Sequence, residues 1–248
     1  MRGGMEDNPA TEVERQKTAT ESRFLKYTFF KVAREWRSLA PAEKESARAE
    51  LEAFLTRETP GTKLQLFSLV GIRGDADFMV LAESKSLEAF QQLVSGMLAT
   101  TLGRYLDIPY SYLAVTRRSH YLGSHKHPGQ EGTEGEEGLR ASLSKYIFVY
   151  PFVKKRAWYS LPFTERQRIM AEHFKVGHKY PKIKINTGYS FGLDDQEFVL
   201  AFEGDDPVEF LHLVEDLRGT EASAYTELEI PIFTCIRIDA PRLVRTIG

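Results

Sequence analysis

Lys26-Tyr27-Thr28-Phe29-Phe30 returns later in the chain as Lys145-Tyr146-Ile147-Phe148-Val149. Trp36-Arg37-Ser38-Leu39 returns as Trp158-Tyr159-Ser160-Leu161, 122 residues on, and Glu43-Lys44 falls at the same offset on Glu165-Arg166. Asp77-Phe78-Met79-Val80-Leu81 runs alongside Glu197-Phe198-Val199-Leu200 at an offset of 120. Phe90 falls on Phe210, and Pro109 on Pro231. Ordered matches at a near-constant offset indicate an internal duplication.

Both copies carry the same pattern. An apolar β-rich run (24–32; 145–153) precedes a helical pattern (41–56; 163–176). Two strands joined by a short acidic turn follow (63–71 and 76–82; 182–191 and 196–202), with Asp194-Asp195 as the turn signal in the second copy. A second amphipathic helix (86–100; 206–218) and a closing strand (110–116; 231–238) complete each copy. The order β-α-β-β-α-β is the ferredoxin-like unit. The expected fold is α+β: two such units, at 23–122 and 143–248, with their sheets face to face over one core, a dimeric α+β barrel within one chain.

What lies outside the repeat is polar. Residues 1–22 read as a disordered leader with no apolar signal segment. Residues 123–142, rich in Gly and Glu, read as a flexible linker. Lys and Arg number 33 against 35 Asp and Glu, a net charge of −2, which argues against a general nucleic-acid binder. With 42% apolar residues a chain of this length can bury a large core. A lone cysteine, Cys235 in the run Ile232-Phe233-Thr234-Cys235-Ile236, excludes a disulfide framework within the chain and a Cys-rich metal site, and reads as a buried small hydrophobe. No stretch reaches the ~18–20 apolar residues of a membrane span. A soluble, cytoplasmic protein is expected.

A position that differs chemically between the copies is a candidate for a task done in one copy only. At offset 122, His173 stands where the first copy has Leu51. Its helix reads as opening on a capping box, Thr164-x-x-Gln167, and stopping at Gly177. Ile169, Met170, His173 and Phe174 share one face. An imidazole there is either a satisfied core histidine or a ligand, since neutral histidine is the commonest protein donor to metals and one histidine can hold a haem iron. The run Tyr150-Pro151-Phe152-Val153-Lys154-Lys155-Arg156-Ala157-Trp158-Tyr159 gathers phenol, ammonium, guanidinium and indole within ten residues. It is either a strand end with a solvated basic tail or a site for an anionic ligand with an aromatic wall. His125 and His127 fall in the linker; His178 and His212 read as exposed. No G-x-S-x-G, P-loop, H-E-x-x-H or G-x-G-x-x-G pattern occurs, which leaves hydrolase, NTPase and dinucleotide readings without support.

These residues resemble a known family. Tyr150-Pro151-Phe152-Val153-Lys154, Trp158-Tyr159-Ser160-Leu161-Pro162 and Glu165-Arg166 leading to Met170-Ala171-Glu172-His173 are similar to the chlorite dismutase-like haem proteins, which include the coproheme decarboxylases. Gly192-Leu193-Asp194-Asp195-x-x-Phe198 and Arg218-x-x-Glu221-Ala222-Ser223-x-Tyr225 continue the likeness. The resemblance implies a homopentamer that binds haem b or iron coproporphyrin (coproheme) in the second unit, with hydrogen peroxide as co-substrate. It implies His173 as the iron ligand, Glu221 as acceptor of that histidine's other N–H, and Trp158 packed beside it. It implies Tyr150 as the tyrosine that becomes a radical and oxidises a propionate, Lys154 near that propionate, and Ser223 as a propionate hydrogen-bond donor. Chlorite dismutases carry a distal Arg and one decarboxylase branch a Gln. Counting forward from His173 puts Asn186 at that place, and counting back from Asp194 puts Ile185 there. Neither is Arg, which weakens a chlorite-degrading reading. The function implied is peroxide-dependent decarboxylation of coproheme to haem b. A chlorite dismutase or weak peroxidase, or a haem-delivery module without turnover, stands as the alternative.

Overall fold

A computed structural model describes residues 22–117 and 143–248. The expected linker over 123–142, and all of the expected leader but Ser22, lie outside the described residues. The first copy runs β1 (Phe24–Val32), α1 (Arg34–Arg37), α2 (Pro41–Thr56), β2 (Thr62–Ser68), β3 (Phe78–Ser84), α3 (Leu87–Ala99), a 3-10 turn (Leu102–Tyr105) and β4 (Leu106–Thr116). The second runs β5 (Tyr146–Lys154), α4 (Arg156–Ser160), α5 (Phe163–Gly177), β6 (Lys184–Tyr189), β7 (Phe198–Gly204), α6 (Pro207–Arg218), a 3-10 turn (Glu221–Tyr225), β8 (Thr226–Leu228) and β9 (Phe233–Ile238). A last helix, α7 (Ala240–Thr246), follows. Both copies thus hold the predicted βαββαβ order. None of these helices is long and apolar enough to cross a membrane.

Every strand pairing is antiparallel: β4-β1-β3-β2 in the first unit and β6-β7-β5-β9 in the second. The two sheets do more than face each other. Short seams, Leu66↔Ile238 to Ser68↔Ile236 between β2 and β9 and Val115↔Tyr189 with Thr116↔Gly188 between β4 and β6, join them edge to edge. The result is a closed eight-stranded barrel, with β8 attached to β5. Closure removes the exposed edges that two open sheets would present. At the second seam a Cβ on Gly188 would lie 2.6 Å from the Ala114 Cβ, so only glycine permits the approach.

Alternation along the strands sorts side chains to two faces. Leu25, Tyr27, Phe29, Phe67, Met79, Ile147, Val149 and Phe233 fill the barrel, and Phe29 stacks on Phe233 at 4.0 Å across the units. Cys235 is buried here, as read from the sequence. The outward faces carry the helices.

The duplication is written in hydrogen bonds as well as in sequence. Asp77 accepts from Val32 N (2.8 Å), as Glu197 accepts from Lys154 N (2.8 Å). Ala33 N donates to Tyr105 O and Lys155 N to Tyr225 O, both at 2.8 Å. Trp36 lies 5.8 Å from Tyr105, and Trp158 5.4 Å from Tyr225. Using Asp77 and Glu197 this way ends the loop late: β3 and β7 begin at 78 and 198 rather than 76 and 196.

Each hairpin loop also grips the other unit. Arg73, forked onto Asp75, donates to Ile232 O (3.0 Å). Asp194 accepts from Leu113 N (2.7 Å), and the Ser190 hydroxyl donates to Leu113 O (2.7 Å). Gly192, at φ +72°, makes the turn that aims Asp194.

Candidate functional site

α5 carries the decisive side chains. It starts at Phe163 on Pro162, so the Thr164 capping box is not used; Glu165 pairs with Arg168 instead (2.7 Å). A proline at the N-cap has no N–H to leave unpaired, and its fixed φ favours the turn into a helix. The helix buries Ile169 and half-buries Met170, His173 and Phe174, the face that the spacing predicts.

The twin helix α2 buries Ala47, Leu51 and Leu55. At offset 122 these become Ile169, His173 and Gly177. Two core leucines are therefore replaced by an imidazole and a residue with no side chain. A Cβ built on Gly177 meets no heavy atom within 4 Å. The second unit has room where the first has a leucine.

The outer cores differ accordingly. In the first unit one continuous cluster joins Phe30, Phe78, Phe90, Leu51 and Trp36, and α7 crosses over to add Leu243, Val244 and Ile247. In the second unit the core is split. Phe148, Tyr150, Ile183, Phe202, Phe210 and Leu213 form one cluster; Trp158, Ile169 and Ala222 form another.

The charged groups belong to this split. Lys154 Nζ donates to Ala222 O (3.0 Å) and lies 4.7 Å over the Trp158 ring. Burial pulls its pKa down to about 8, against the opposing charges of Glu197 and Glu229. His173 is pushed down to about 4, by burial first and then by the Lys154 charge. Its Nδ1 is buried with no hydrogen-bond partner. The imidazole is thus neutral at physiological pH, with a polar atom that the protein leaves unsatisfied. Tyr150 is buried on β5, stacked on Phe202 at 5.9 Å. Burial, then Glu229, drive its pKa up, so the phenol keeps its proton.

The structure brings Lys154, Trp158 and the 221–225 turn into contact, sets His173 within electrostatic reach of Lys154, and lets Tyr150 and Lys154 share the field of Glu229. Ser223 is half-buried beside Ala222 on that turn. Two expectations change. Asn186 pairs in register with Ala201, which pairs with Val149, so its side chain faces the barrel, where Nδ2 donates to Glu203 (2.8 Å). The pleat puts Ile185 with Phe202 and Phe148 on the outer face, beside Tyr150. Glu221 does not accept from His173; its carboxylate takes Arg168 at 2.7 Å. His178 and His212 are exposed, as read.

Glu229 and Glu197 were not among the sequence candidates. Glu197 could have been found, because its twin Asp77 lies in the matched run; Glu229 has no such signal.

With this geometry in hand, the chain can be set beside known proteins. The family model described as chlorite dismutase matches residues 44–238, and the chain belongs to that family. A coproheme decarboxylase from Mycolicibacterium smegmatis is 35% identical over 229 residues, covering 90% of this chain and 93% of that protein. Among solved structures, chlorite dismutase from Candidatus Nitrospira defluvii in complex with imidazole superposes with a TM-score of 0.82 at 21% identity, over 94% of this chain and 99% of that one. A cyanide complex of a mutant of the same enzyme gives 0.82 at 21% identity, over 95% and 99%. At these identities the solved structures establish the shared fold.

Proposed function

We propose that this chain is a coproheme decarboxylase, a haem-dependent oxidoreductase that turns iron coproporphyrin into haem b with hydrogen peroxide as oxidant. The observation that carries the reading is the exchange on α5: Leu51 and Leu55 of the first unit become His173 and Gly177, a neutral imidazole one turn from a glycine whose Cβ would meet no heavy atom within 4 Å. Among the described residues no group of three His, Cys, Asp or Glu side chains could hold a metal. A single imidazole suffices where the ligand brings its own donors, as a tetrapyrrole does. The 35% identical coproheme decarboxylase points the same way.

The residues fit such a group. His173 needs to shed no proton above about pH 4 before its lone pair can bind iron. Trp158 and Ile169 from one cluster, and Tyr150, Phe202 and Ile185 from the other, would supply apolar contacts to a flat ring. Lys154, still mostly an ammonium at neutral pH, is the partner for a propionate, and Ser223 offers a hydroxyl one residue from the Lys154 contact. When bound, the porphyrin iron supplies the redox chemistry with peroxide. Each propionate would give up CO₂, a proton and two electrons to leave a vinyl group, and one hydrogen peroxide would take the two electrons, that proton and one more from solvent to become two waters. Tyr150, kept protonated by burial, can yield an electron only together with its proton, which suits one-electron work at a carboxylate. Lys154 holds that carboxylate ionised.

The oligomer proposed is a homopentamer and the compartment the cytoplasm; the exposed apolar side chains Ile230 (64%), Val208 and Leu211 are candidates for its contacts. The test is to add coproheme and then peroxide to the wild type and to Tyr150→Phe, following the products by mass. Stepwise loss of two CO₂ by the wild type alone supports the reading. Oxygen release from chlorite without decarboxylation would make it a chlorite dismutase, and binding without product a delivery protein.

A further inference from the structure

At the end of β5 the two units solve one problem differently. In the first, the buried Asp77 takes the Val32 N–H (2.8 Å) and is neutralised by the ammonium of Lys31 (2.9 Å). In the second, Glu197, 7% exposed, takes the Lys154 N–H (2.8 Å) and the hydroxyl of Tyr159 (2.6 Å). At offset 122 the place of Lys31 is taken by Val153. The ammonium has moved one residue along, to Lys154, and the pleat therefore sends it to the other face. There it hydrogen-bonds Ala222 O and lies over the Trp158 ring, and feels the Glu197 carboxylate through its charge without a hydrogen bond to it.

We infer that Glu197 and Tyr159 are a positioning pair for Lys154: the phenol stands in for the ammonium that its twin carboxylate consumes, and so releases the corner's lysine toward the site. This rests on the reading of that site as the coproheme site. The same corner is pinned from its other side, since Lys155 N donates to Tyr225 O (2.8 Å) and Lys155 Nζ to Ala224 O (2.8 Å). With the backbone of residues 154 and 155 held between β7 and the 221–225 turn, the Lys154 side chain starts from a fixed root. Pre-organisation of this kind is what a positioned charge needs in order to act on one carboxylate rather than on many. Arg156, 94% exposed and 3.8 Å from Glu197, is screened by water and contributes little to the hold.

The duplication supplies its own control. Three full-length variants are compared with the wild type: Glu197→Gln, Tyr159→Phe and, in the first unit, Asp77→Asn. Two readouts are taken. One is the acetylation rate of Lys154 by acetic anhydride in the protein without porphyrin, by peptide mass spectrometry relative to Lys145. The other is coproheme affinity by absorbance titration. The expected result is a several-fold faster acetylation of Lys154 in Glu197→Gln and Tyr159→Phe, with coproheme affinity weakened about tenfold, or ~1.4 kcal/mol. Asp77→Asn is expected to lower the melting temperature but to move neither readout. Glu197→Asp should recover part of the affinity, since an aspartate does the same work in the first unit.

An Asp77→Asn that accelerates Lys154 acetylation equally would overturn the pair's role, because the effect would then be general loosening. So would unchanged acetylation in Tyr159→Phe, which removes one hydroxyl and no charge and decides the matter even if Glu197→Gln does not fold. A wild type that fails to bind coproheme would defeat the proposed function, while the acetylation readout would still judge the positioning.

Discussion

The helix layers of the two units share their scaffold bonds and differ in what they enclose. Over the first sheet, α2 contributes Ala47, Leu51 and Leu55, and α7 closes the layer with Leu243 and Val244. Over the second, α5 contributes Ile169, then His173, then Gly177, and the core falls into two parts. On the proposed reading, the comparison tells how a repeated fold acquires a site. Large apolar groups are withdrawn from one copy while the other is sealed, and the backbone hydrogen bonds that hold both copies are left alone.

That contrast can be broken deliberately. Importing both first-unit leucines, as His173→Leu with Gly177→Leu, should abolish the coproheme Soret band. The porphyrin-free protein should become more stable by about 0.5–2 kcal/mol, as filled cavities do; absorbance titration and thermal melts check both halves. The reverse import, Leu51→His, places an imidazole in a packed core without a partner. It should cost about 2–5 kcal/mol by denaturant unfolding and leave coproheme affinity unchanged.

A subtler difference is pH. His173 titrates at about 4 when folded against an ordinary 6.5, so between these values the unfolded chain takes up a proton that the folded chain refuses. Stability without porphyrin should fall as pH drops from about 6.5 to about 4, and His173→Leu should flatten that limb. The smallest effect is expected at the seam. Asp194→Asn weakens the hold on Leu113 N and should cost about 1 kcal/mol with no change in the spectrum.

The fold was legible because the repeat is visible as residues: paired Trp36 and Trp158, paired Asp77 and Glu197. The iron-ligand candidate was legible by subtraction, His173 against Leu51. Gly177 reads in sequence only as a helix stop; that it also vacates the place of Leu55 becomes meaningful once the space beside it is seen. The choice between Ile185 and Asn186 could not be made by counting, since a slip of one residue along a strand reverses its face. Glu221 takes a partner that no sequence pattern singled out. The resemblance implies it as the partner of His173, whereas here Arg168, one turn from Glu165 on the same helix, takes the carboxylate. The crossing of α7 onto the first unit joins residues some two hundred positions apart, as in the Trp36 Nε1–Gly248 O bond (2.5 Å), and no local pattern announces it.

That crossing bears on how the molecule comes into being. Leu243, Val244 and Ile247 come after the whole second unit in sequence, and they complete the hydrophobic layer of the first. The first unit must therefore wait, with part of its apolar surface wet, until α7 has been made behind the second. Two units in sequence become one unit of cooperativity, and neither half is a candidate for life on its own.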